Sequence, residues 1–98
     1  MVMDDIRALL SEPYPAADRI DTVLTDGYAQ ALELEAERWR TERRISEALA
    51  ALQENTELGG DSELVVLAKR LRCVNEKLSS LRPLLKSLRE KRAEVRAA

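Results

Sequence analysis

Between Leu64 and Val95, apolar side chains recur at alternating steps of three and four residues. Leu64, Leu67, Leu71, Val74, Leu78, Leu81, Leu85, Leu88, Arg92 and Val95 form one seam, apolar at nine of its ten places. This is the heptad rhythm of a helix lying along another helix. A weaker seam precedes it, running through Ile20, Leu24, Gly27, Ala31, Leu34, Arg38, Thr41, Ile45, Ala48 and Leu52, with several small or polar members. Small residues there let two helix backbones approach closely. Tyr28, Leu32 and Trp39 lie off this seam and widen the apolar face, as expected of a helix with a second neighbour.

Breakers divide the pattern into elements. Met3 to Leu10 reads as two turns of helix with Ile6, Leu9 and Leu10 on one side, too short to be stable unless docked. The Pro13-Tyr14-Pro15 stretch ends it, because a residue before proline is pushed out of helical geometry. Pro15 suits a first helical position. Gly59-Gly60 provides a helix stop, and Asp61 or Ser62 a cap for the next start. The expected architecture is all-α: a short N-terminal helix and Pro-rich turn over 1–14, then a long antiparallel coiled-coil hairpin over 15–98. Its first arm covers 15–57, its turn 58–61 and its second arm 62–97. Pro83 removes a backbone hydrogen bond from the second arm. Because the leucine rhythm continues through it, a kinked continuous helix with Pro83 facing solvent is expected.

If the arms mesh around the Gly-Gly turn, Leu52 meets Leu67, Ile45 meets Val74, Leu34 meets Leu85, Leu24 meets Val95, and Arg92 falls opposite Gly27. Two long helices bury only one stripe each against one another, so the hairpin is expected to dimerise into a four-helix bundle.

Composition agrees with this plan: 45% of residues are hydrophobic and 35% charged, Phe is absent, and Tyr14, Tyr28 and Trp39 are the aromatics. Charge divides between the halves. Residues 1–60 hold 13 acids and 6 bases, a net of −7, and residues 61–98 hold 5 acids and 10 bases, a net of +5, which together give the −2 of the whole chain. Positions flanking the second seam include Arg70, Lys77, Arg82, Arg89, Lys91 and Arg96, with no acid among them. The register places Asp21 near Arg96, Glu35 near Arg82 and Arg44 near Lys77. Charge pairing inside the hairpin accounts for most of the segregation. A residual basic strip of Arg70, Lys77, Arg82 and Lys91 would suit nucleic acid or an acidic protein.

Candidate chemistry is sparse. The chain has no His and one Cys, and neither a nucleophile with its base nor a carboxylate pair stands out. Cys73 reads as a packing residue, Glu33, Glu35 and Glu37 spread around the helix, and Gly59-Gly60 lacks the Lys and Ser or Thr of a phosphate loop. No enzyme activity, cofactor, metal or small-molecule ligand is expected. Arg38-Trp39-Arg40 has the make-up of an interface anchor or a base-stacking platform. No run approaches the roughly 18 apolar residues of a membrane span, and Asp4 and Asp5 stand where a signal peptide carries positive charge. A cytoplasmic location is expected.

In length and plan the chain resembles the small secreted helical-hairpin proteins named for a Trp-x-Gly turn. Here, however, the turn reads Glu57-Leu58-Gly59-Gly60-Asp61 and Trp39 precedes it by about five helical turns. It also resembles in outline the N-terminal arm of seryl-tRNA synthetase, a hairpin that grips tRNA. The sequence therefore predicts a non-enzymatic interaction or adaptor module whose partner is itself, as a homodimer, or another helical protein. The helix-pairing residues are Leu24, Leu34, Ile45, Leu52 and the second seam. The partner surface comprises Tyr28, Leu32, Trp39, Arg70, Lys77, Arg82 and Lys91. An RNA-binding hairpin using the basic arm and a secreted helical effector or carrier are the alternatives.

Overall fold

The computed structural model describes residues 1–54 and 60–97, the side chains of residues 60 and 61 excepted. These form three helices, α1 (Val2–Ser11), α2 (Ala17–Glu54) and α3 (Gly60–Ala97), with no strand among the described residues. The expected Gly59 stop and the centre of the connection lie outside the described residues. Asp61 and Ser62, expected as caps, lie inside α3.

Local chemistry sets the helix ends. At Glu12 the backbone turns extended (φ −75°, ψ 133°) and its N–H donates to the Leu9 carbonyl at 3.2 Å. The following Pro13 imposes that geometry. Pro15 does not open α2 as expected. It is buried ahead of the helix, and the Ile20 N–H donates to the Ala16 carbonyl at 3.1 Å, so the first helical turn closes on Ala16. Pro83 lies within the single helix α3 and is exposed.

The chain forms two compact units, one of Met1–Glu33 with Leu78–Ala98, the other of Leu34–Lys77. In the first, α1 supplies Ile6 and Leu9, both 0% exposed. Their neighbours in the core of this unit include Ile20 and Leu24 of α2 and Leu78, Leu81, Leu85 and Leu88 of α3. The α2 and α3 segments run antiparallel, since Asp21 meets Arg92 and Arg96 while Tyr28, farther along α2, meets the earlier Arg89. Full burial of a leucine-sized side chain contributes about 1.5–3 kcal/mol. Three helices converging on one cluster therefore stabilise a segment as short as α1. Polar contacts fix its C-terminal end: Arg19 bridges to Glu12 at 3.0 Å and Lys91 Nζ donates to the Leu10 carbonyl at 3.4 Å.

The second unit is built from Leu34, Thr41 and Ala48 of α2 and Leu67 and Val74 of α3, all buried. Thr41 is its one buried polar residue among those described, and its hydroxyl donates to the Glu37 carbonyl at 2.8 Å. All fully buried residues of α2 and α3 fall on the two seams, and the remaining seam members are half-buried.

In the first unit the Asp21 to Arg96 pair of the expected register is present, but the residue before Gly27 is not the expected one. Leu85, not Arg92, occupies the space in front of Gly27, so closely that a β-carbon at residue 27 would collide with its methyl. Arg92 instead bonds Asp21, one helical turn and a half earlier on α2. The physical reason is a choice between two places for a cation at a seam position. Opposite glycine it has room but no counter-charge; beside Asp21 it has a carboxylate and keeps 34% of its side chain in solvent.

Candidate functional site

Surface residues of α2 and α3 fall into three groups according to whether the chain itself uses them. The first is apolar. On α2, Tyr28, Leu32 and Trp39 are 40%, 67% and 61% exposed. Spacings of four and seven residues place them on one side of the helix. Arg43 stacks over the Trp39 ring at 5.6 Å, a cation–π contact. The Tyr28 hydroxyl accepts from Arg89 at 3.4 Å.

The second group is the ionic edge of the first unit. Asp21 holds two arginines, with Oδ2 accepting from Arg96 Nη2 at 3.3 Å while Oδ1 lies against Arg92 Nε. Those last two atoms are closed off from solvent, and each faces the other as its polar neighbour. The Asp21 to Arg96 contact is one of the flanking pairs read from the sequence. A shallow groove of about 340 Å³ runs beside it, lined by Asp21, Leu24, Thr25, Tyr28, Arg89 and Arg92.

The third group is basic. Arg70, Lys77 and Arg82 are exposed on α3. Lys91 is not available in the way the basic-strip reading requires, because it is half-buried and its ammonium is engaged by the α1 carbonyl of Leu10. Arg44 was expected near Lys77. It pairs with Glu63 at 2.9 Å. Within α2, Arg38 bridges to Glu42 at 3.8 Å and Arg43 to Glu47 at 3.3 Å. The base comes first in both pairs, the less favoured order along a helix.

Sequence reasoning missed the exposed Leu49, Val65 and Val66, at 49%, 53% and 55%. The available signal was the run Leu64-Val65-Val66-Leu67, since a seam uses two of four consecutive apolar residues and leaves the middle pair outward. Cys73, read as a packing residue, is exposed. Position explains this: it lies between the seam residues Leu71 and Val74, on the outer side of α3.

Among the described residues no helix is long and apolar enough to cross a membrane. Comparison with family models, with curated proteins and with solved structures finds no match. The functional reading therefore rests on the residues themselves.

Proposed function

We propose that the chain is a non-enzymatic helical hairpin, a coiled-coil interaction or adaptor module that pairs with a second copy of itself as a four-helix bundle in the cytoplasm. One observation carries this reading. The seam residues of α2 turn inward, whereas Tyr28, Leu32 and Trp39, large apolar side chains on one side of the same helix, stay 40%, 67% and 61% exposed. Aromatic anchors of this kind dominate binding energy where helices associate, and removing them from water is the main driving force. Another helical protein with a matching apolar stripe is the competing occupant.

Light scattering on the purified chain tests the proposal. A dimer mass is expected at about 0.1 mM, a concentration at which a micromolar association is saturated. Leu32→Glu combined with Trp39→Ala is expected to yield the monomer mass with helical circular dichroism retained. A monomer for the unmodified chain at that concentration would refute self-association.

A further inference from the structure

In the unit Leu34–Lys77, a groove of about 300 Å³ forms where Arg40 and Arg44 of α2 come beside Arg70 of α3, with Glu37 and Thr41 completing its wall. Most arginines are engaged, whereas Lys69, Arg72, Lys77 and Lys86 share with the groove's Arg40 and Arg70 the lack of an ion pair among the described residues. Arg38, Arg43, Arg92 and Arg96 each lie against a carboxylate, and so does Arg44, through Glu63. Arg40 and Arg70 are exposed and have no ion pair or hydrogen-bonded side-chain partner among the described residues. The Thr41 hydroxyl is already committed to the Glu37 carbonyl. Two guanidinium groups from different helices thus line one groove beside a third, with a single carboxylate on the wall.

The sequence around the groove concentrates this charge further. All four bases of α2 beyond Leu34 fall between Arg38 and Arg44, and α3 contributes Lys69, Arg70 and Arg72. Here bases of the otherwise acidic first arm come beside a base of the second. Like charges gathered in one groove repel, and a bound anion relieves that repulsion.

We propose that this groove is an anion site that takes a phosphoryl group between Arg40 and Arg70, with Arg44 beside it. The geometry favours phosphoryl over carboxylate. A carboxylate is planar and is satisfied by one guanidinium fork, whereas a phosphoryl group offers three oxygens and two charges to forks arriving from separate directions. The site uses none of Tyr28, Leu32 and Trp39, so it stands or falls independently of self-association.

Isothermal titration of the full chain with sodium pyrophosphate at low ionic strength tests it, with sodium chloride of matched ionic strength as the blank. Saturable binding is expected. Arg40→Gln and Arg70→Gln should each weaken it about five- to tenfold, as for loss of an exposed charge-assisted hydrogen bond. Lys86→Gln, in the other unit, should leave it unchanged, and circular dichroism establishes that every variant is folded. Single-stranded RNA that displaces pyrophosphate identifies a nucleic-acid backbone as the source of the phosphoryl group. Failure of RNA to displace it identifies a small phosphorylated molecule. No heat beyond the blank, undiminished binding in both arginine variants, or an equal loss in Lys86→Gln would overturn the site.

Discussion

At the residue scale, Gly27 shows how much one missing methyl can decide. A β-carbon there would strike the end of Leu85, a buried side chain, and would come within 3.6 Å of Ile6. Alanine gains about 1 kcal/mol of helix propensity over glycine, while overpacking a filled core costs about 1–3 kcal/mol. Because Leu85 is hemmed in, the second effect wins. Gly27→Ala should destabilise the fold by about 1 kcal/mol in urea melts, and adding Leu85→Val should recover part of that loss. Thr41 presents the opposite case. Its hydroxyl bonds only back to its own helix, an arrangement that slightly destabilises helices. Thr41→Val is expected to raise stability by about 0.5 kcal/mol, visible as a higher midpoint in the same melts. The sequence marked both positions as seam members. It did not show which residue fills the space before Gly27, because a heptad repeat admits several alignments and leaves the choice to shape and charge.

At the scale of elements, the two long helices and the short one were legible because periodicity extends over many turns, and every seam position of α2 and α3 is buried or half-buried. Boundaries were less legible. Pro15 satisfies the rules for a first helical residue, yet it is buried ahead of the helix and α2 begins at Ala17. Burial outweighed a local preference of modest size. Pro83 illustrates tolerance of the reverse kind. It interrupts the hydrogen bonding of α3 on an exposed face while leucines on the other face hold the helix together. Pro83→Ala should stabilise the protein by roughly 1–3 kcal/mol, since it restores one backbone bond and relieves the clash of the ring with the preceding turn. Unchanged thermal denaturation would show that the chain has already relaxed around the ring. For α1, whose two inward residues are fully buried, Leu9→Ala should cost about 2–4 kcal/mol, measured against Ala8→Ser on its exposed side as a control.

At the scale of the whole molecule, charge segregation is the feature the sequence displayed most plainly, and the structure uses it through Asp21 with Arg92 and Arg96, while Arg44 with Glu63 pairs in the opposite sense. These pairs are about one-third to two-thirds exposed, so each is worth at most about 1 kcal/mol and weakens in salt. Stability should therefore fall only slightly between low and high salt for the unmodified chain, and Asp21→Asn should abolish much of that small dependence. What the sequence could not display was the approach of Arg70 to Arg40 and Arg44, which depends on the folded backbone.

The contact of Leu85 with Gly27 and the bonding of Arg92 to Asp21 have a consequence for how the fold is kept single. Sliding α3 along α2 by seven residues, roughly 10 Å of travel, sets seam against seam once more. A repeating interface thus has several nearly equivalent settings. The notch and the carboxylate act as a key that fits just one of them. A chain lacking both should remain helical yet populate more than one setting, with inter-helix distances between paired spin labels broadening into separate peaks.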